Sequence, residues 1–267
     1  MDEVEKYYDA EAEKEWHRLD RHKIEFDITK KYMDEYIEPN SKILDVGGGS
    51  GRYSIFLSQK GHDVTLFDLS KGNLQLAKKK AEEKEVELQN FVHGNALNLS
   101  QKNIGKFDIV LCMGPLYHLP DEVDRRKVIQ QCLEKLKKGG KLVVSFISIY
   151  APAINFIKNN PEELAEYGSD FLLDYLEKGE NIFATKNPGL INAYFINPME
   201  IKPFMNNFNL EKEVISGIEG LTAQNEEKIN NLSEKAYQEW LDFIFKTSQN
   251  PMTWASCEHF LYIGTKI

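Results

Sequence analysis

Cysteine is scarce. Cys112, Cys132 and Cys257 are odd in number, far apart and free of any Cys-x-x-Cys pair. That excludes a disulfide framework and a zinc knuckle. The histidines show no His-x-x-x-His or similar pairing, so no metal site is expected. No apolar run approaches the ~18 residues a membrane-spanning helix needs, and the acidic, helical start does not have the pattern of a secretory signal. Positive charge is also short. There are 33 Lys and Arg against 42 Asp and Glu, a formal net charge of −9, which opposes non-specific attraction to DNA or RNA. The basic clusters at 78–80 and 135–138 are interleaved with glutamates and read as solvated helix faces. The expectation is a chain for a reducing, cytoplasmic setting, with no nucleic-acid or membrane partner. Its oligomeric state stays open.

What the chain does have is a glycine cluster within an ordinary globular composition. Its 267 residues, 42% hydrophobic and 28% charged, fit one or two domains with a sizeable core. Residues 42–54 read KILDVGGGSGRYS. A short apolar run carries Asp45 near its end. Gly47, Gly48, Gly49, Ser50 and Gly51 follow, and a new apolar face opens at Ile55. The order predicts strand, tight turn, helix. Glycine serves where φ is positive or where a ligand must touch the main chain. Such a turn sets backbone N–H groups and a helix N-terminus at the carboxyl end of a strand. A turn without a ligand needs one or two glycines, not this succession. Two common phosphate loops do not fit. Arg52 stands where the dinucleotide fingerprint has its third glycine, and no Gly-Lys-Ser/Thr triplet follows.

Asp45-x-Gly47-x-Gly49-x-Gly51 instead resembles the first motif of the class I S-adenosylmethionine-dependent methyltransferases. LKKGGKLVVSF at 136–146 matches that family in type and place. The resemblance is close over 42–148 and looser elsewhere. It implies an α/β fold: a doubly wound, Rossmann-like, mostly parallel seven-stranded sheet with an antiparallel last strand. It also implies S-adenosylmethionine as cofactor. The implied contacts are Asp45, Gly47, Gly48, Gly49 and Gly51, then Asp68 at the end of the second strand and Leu69 after it. Asn95, Ala96 and Leu97 follow the third strand, and Met113 and Gly114 end the fourth. Asp68 ends the strand predicted over 63–68, and a carboxylate there offers acceptors to both hydroxyls of a ribose. Ser70 is better placed to cap the helix that follows. Asn95 stands where the family commonly has aspartate; the amide still accepts from an adenine amino group but brings no charge.

The stretch YYDAEAEKEWHRL at 7–19 resembles N-terminal segments of bacterial members, in which tyrosine and arginine reach the cofactor's amino-acid end. Tyr8 and Arg18 are the candidates. Arg18 is either a two-pronged partner for a carboxylate or a surface residue, and Tyr8 is either a site residue or a core aromatic. One helix is expected from about Trp16, stopped by Pro39-Asn40. Further helices are expected to about Lys60, over 71–85 and over 121–138, with strands over 88–93, 107–114 and, after Gly139-Gly140, 141–148. The loop GPLYHLPD after the fourth strand implies an acceptor pocket at Tyr117 and His118. His118 is either a general base, since its ordinary pKa suits proton removal near neutral pH, or a support for its loop. Glu219, Glu258 and His259 are acceptor-site groups or strand-edge residues.

Residues 1–149 and 198–267 then form the core with an N-terminal helical cap. The connection 150–197 is too long for a simple loop and reads as a lid insertion over the active site. Its aromatics, Phe183 among them, line the acceptor pocket or form the lid's own small core. A second insertion spans about 219–254, with a helix near 233–246. The leading reading is methyl transfer to a small-molecule acceptor. The alternatives are a non-catalytic cofactor-binding module, a protein methyltransferase, and a nicotinamide-dependent oxidoreductase, the last opposed by Arg52.

Overall fold

The computed structural model describes residues 2–179 and 193–267; Phe183 and the rest of 180–192 lie outside the described residues. Seven strands form one sheet in the order β3-β2-β1-β4-β5-β7-β6. They are β1 (Lys42–Val46), β2 (Asp63–Asp68), β3 (Asn90–His93), β4 (Phe107–Cys112), β5 (Leu136–Ile147), β6 (Leu210–Gly217) and β7 (His259–Lys266). β1 to β5 pair in parallel, and β7 runs antiparallel to both β5 and β6. The expected sheet is therefore the one found.

Strand periodicity explains the two-sided core. Successive side chains of a strand point to opposite faces. Ile43, Ile109, Val143 and Leu261 pack on one face with Ile24, Ile28, Leu74 and Ile244. Leu44, Val110, Val144 and Tyr262 pack on the other with Val128, Ile129 and Trp254. The first face is covered by α1 (Asp2–Arg21), α2 (Lys23–Tyr36), α3 (Arg52–Gln59), α4 (Lys71–Glu83) and the helix Glu234–Thr247; the second by α5 (Glu122–Lys135). From β1 the chain moves outward to β2 and β3, then crosses back to β4 on β1's other side. The connections diverge at the carboxyl ends of β1 and β4, the place where open α/β sheets bind ligands.

Three boundaries differ from expectation by more than two residues. The N-terminal helix begins earlier, at Asp2, and is two helices, broken at His22 where ψ is 55°. β5 begins at Leu136, ahead of the two glycines: opposite β4 its pairing jumps from Leu136 to Lys141, with Gly139 at φ +76° in the looped-out stretch. Gly140 passes so close to Asp108 that a Cβ would stand 2.6 Å from its carbonyl oxygen. The helix over 121–138 accordingly stops at Lys135. In the described part of the insertion, α6 (Ala151–Asn159), α7 (Leu164–Tyr167) and α8 (Ser169–Lys178) form a small aromatic cluster through Phe156, Tyr167, Phe171 and Tyr175.

Candidate active site

The turn after β1 is built around absent side chains. Gly47, Gly49 and Gly51 have φ of +70°, +58° and +85°. Gly48 has no room for a Cβ, which would stand against the Leu66 side chain and 2.5 Å from Asp45 Oδ2. A Cβ on Gly114 would meet the carbonyl oxygen of Gly47 at 2.8 Å, so the turns after β1 and β4 touch. Asp45 lies beneath, 1% exposed, accepting from Ser54 Oγ at 2.7 Å. Burial pushes its carboxyl up to about 6, against the Ser54 bond and with some help from Asp68.

Asp68 closes the turn from β2. Its Oδ2 accepts from the Gly49 N–H and its Oδ1 from the Ser70 N–H, each at 2.8 Å. Burial pushes its pKa upward, opposed by those backbone bonds. Ser70 caps α4 by accepting from the Asn73 N–H, as expected. Asn95 does the same for the next turn: its Oδ1 accepts from the Leu97 N–H at 2.9 Å. That oxygen, expected to face an adenine amino group, is thus already a cap acceptor.

These groups surround a cavity of about 210 Å³ at the switch point. Of the residues expected there, Asp45, Gly47, Gly48, Gly49, Asp68, Leu69, Asn95, Ala96, Met113, Gly114, Tyr117, His118, Tyr8 and Arg18 line it. Gly51 and Leu97 do not. Gly51 is the left-handed residue at the head of α3 and faces Ala77, and Leu97 joins the core under α5. The cavity reached residues that sequence reasoning missed: Glu15, Asn73 and Tyr53 among them. Glu15 sits one helical turn from Arg18, and that spacing was the available signal; Tyr53, next to Arg52, carried none.

α1 crosses this cavity. The Tyr8 hydroxyl hydrogen-bonds His118 Nε2 at 2.7 Å. Burial, then Tyr117, raises the Tyr8 pKa well above its ordinary value. Tyr117 donates to the Met113 carbonyl at 3.2 Å, and Ser145 Oγ donates to the same oxygen at 2.7 Å. Arg18 is no surface residue. Its Nη1 and Nη2 donate to the two oxygens of Glu25 at 2.7 and 2.8 Å, so the carboxylate it grips is one of the chain's own.

Glu219, Glu258 and His259 do not line the cavity. They form a buried polar cluster behind Arg18: His259 Nδ1 is 2.5 Å from Glu219 Oε1 and 3.7 Å from Glu25 Oε2. Burial works against the His259 cation, but Glu25 and Glu219 outweigh it and push its pKa up to about 9. Glu258 pairs with Lys158 of α6 at 2.7 Å. Glu25, Glu219 and His259 are metal-ligand residue types, with donor atoms within 4.8 Å of one another. Arg18 and His259 already neutralise both carboxylates, so the cluster is complete without an ion.

Residues 43–140 match the family model described as a methyltransferase domain. A ubiquinone biosynthesis O-methyltransferase of Xanthomonas axonopodis pv. citri is 27% identical over 234 residues, 87% of each chain. A crystal structure of a methyltransferase from Methanosarcina mazei superposes with a TM-score of 0.57 at 19% identity, covering 88% of this chain and 97% of that one. Magnesium protoporphyrin IX methyltransferase from Synechocystis PCC 6803, with S-adenosylhomocysteine bound, gives 0.57 at 17% identity over 99% and 98%. The methyltransferase domain at residues 43–140 and the shared fold are consistent with the class I S-adenosylmethionine-dependent methyltransferases. The chain is an S-adenosylmethionine-dependent methyltransferase, with S-adenosylmethionine as methyl donor. The site accommodates such a donor: a turn stripped of Cβ atoms, backbone amides and a twice-bonded carboxylate at the head of two helices. No helix among the described residues is long and apolar enough to cross a membrane.

Proposed function

We propose that this enzyme methylates a small molecule through a hydroxyl group. The observation that carries the reading is the cavity at the β1/β4 switch point, lined both by the glycine turn and by Tyr8, Arg18, Tyr117 and His118. The name of the Xanthomonas relative specifies O-methylation, which supports oxygen as the nucleophile. When bound, S-adenosylmethionine supplies a methyl group already activated by a positive sulfur.

The chain's part is to bind, orient and exclude water. In this reading Asp68 accepts from ribose hydroxyls, using the lone pairs that Gly49 and Ser70 leave. Arg18 faces the carboxylate of the donor's amino-acid end. Met113 and Gly114 flank the reacting methyl. The hydrogen-bonded Tyr8–His118 pair takes up the acceptor's proton: His118 is the base, and the Tyr8 hydroxyl fixes its ring. An acceptor screen with isotopically labelled methyl donor against a metabolite library tests the reading. Labelled small-molecule product is the expected result. Label found only in protein, or donor bound without turnover, would overturn it. His118→Ala is expected to slow transfer at unchanged donor affinity, and a rate independent of pH from 6 to 9 in parent and variant alike would end the base assignment.

A further inference from the structure

Arg18 reaches the cavity wall from the last turn of α1, but what aims it lies outside the cavity. Its two terminal nitrogens are held by Glu25, in the first turn of α2, 7% exposed and absent from the lining. His259 Nδ1 stands 3.7 Å from Glu25 Oε2, the oxygen that also accepts from Arg18 Nη1. His259 is held in turn by Glu219, whose other oxygen accepts from the backbone N–H groups of Glu258 and His259 at 3.1 and 3.0 Å. Charges alternate along this row: Arg18, Glu25, His259, Glu219. It runs from the cavity wall to the start of β7.

The row matters because Arg18 has a second carboxylate within reach. Glu15 lines the cavity, and its Oε2 is 3.8 Å from Arg18 Nε, one helical turn away. A guanidinium carries five donors in a fixed fork, so an end-on pair with Glu25 leaves its Nε edge for another acceptor. Without Glu25, the fork would close on Glu15. A carboxylate would then occupy the cation inside the cavity and repel an incoming one. Removing Glu25 also takes a negative charge from beside Arg18, which alone would strengthen its pull. Capture by Glu15 returns that charge from a worse place, nearer the ligand, so loss of aim decides the sign.

We propose that Glu25, backed by His259 and Glu219, is the positioning residue that holds Arg18 off Glu15 and aims it at the carboxylate of the donor's amino-acid end. This rests on the reading above, in which Arg18 binds that carboxylate. S-adenosylhomocysteine carries the carboxylate and 5′-methylthioadenosine lacks the whole amino-acid end. Their affinities therefore separate the Arg18 contact from the general state of the site. Titration calorimetry on folded Glu25→Gln should show S-adenosylhomocysteine weakened about tenfold and methylthioadenosine within about twofold of the parent. Adding Glu15→Gln should restore most of the loss, which a merely structural role for Glu25 does not explain. Arg18→Gln tests the underlying reading: no selective loss there removes both. A selective loss in Arg18→Gln with Glu25→Gln binding as the parent, or losing both ligands equally, overturns the positioning role alone. If Glu25→Gln does not fold, His259→Gln replaces it, with a selective loss of about threefold expected and unchanged selectivity refuting the proposal.

Discussion

The carboxylate of Asp68 is bonded on both oxygens by its own backbone before any ligand arrives. It therefore has two jobs, and a variant should show both. Hydrogen bonds to charged groups contribute roughly 1.5–3 kcal/mol each. Asp68→Ala should weaken S-adenosylhomocysteine binding by one to a few factors of ten and also lower the melting temperature. Asp68→Asn should fall between, and Asp63→Ala, at the exposed far end of β2, should change neither. Calorimetry with melting curves checks this; a folded Asp68→Ala binding within about twofold of the parent would remove the ribose role. Asp45 gives a second test. Its folded pKa of about 6 exceeds the unfolded value of about 3.9. Between those values the unfolded chain releases the proton first, so stability should fall as pH rises from about 4 to 6 and then level. Asp45→Asn should flatten that slope and raise stability at neutral pH by about 1–3 kcal/mol, read from denaturant melts. Both aspartates were legible in the sequence, because a glycine turn and the strand beside it advertise themselves locally. Glu25 was not. Nothing in residues 23–36 shows that a carboxylate there meets Arg18 and, across most of the chain, His259.

α1 is pinned at separate points along its length. Asp9 accepts from Ser70 Oγ and from the Gly72 N–H, so it caps α4 from another helix. Tyr8 meets His118, and Arg52 donates to the Trp16 carbonyl and to Asp20. Loss of a cap costs about 1 kcal/mol, so Asp9→Ala should lower stability only slightly yet raise hydrogen exchange over 2–21. Unchanged exchange there would show that Asp9 does not dock the helix. Where α2 meets β7, His259 faces Glu25, Glu219 and Arg18, with His22 and Glu258 alongside. Its folded pKa of about 9 lies above the unfolded 6.5, so its contribution is complete below pH 6.5 and lost as pH rises towards 9. Melting temperature should decline over that window in the parent and decline less in His259→Gln. The core elements from β1 to β4 were readable within a residue or two because their apolar runs sit between strong turn signals. The break at His22 and the early start of β5 were not. Each depends on a partner element, Glu226 beside His22 and Asp108 against Gly140, that no local pattern carries.

At the scale of the molecule, the sheet and its switch point followed from the alternation of strands and helices, whereas the part played by 150–197 did not. Phe156, Phe171 and Tyr175 of its described portion pack on one another, and Ile157, Leu173 and Leu176 stay exposed. If this insertion is a lid, exchange over 150–179 should exceed that of β1 and β4 in the free enzyme and fall on saturation with cofactor and acceptor. Exchange unchanged by both ligands would count against it. The strand order has a different consequence. β7 lies inside the sheet, between β5 and β6, although it is the last strand in the sequence. During synthesis, β5 and β6 wait with unpaired edges until residues 259–266 leave the ribosome, and such edges invite pairing with other chains. This half of the sheet thus matures last and all at once, and a chain stopped before His259 would leave β5 with an open edge and β6 with no partner strand.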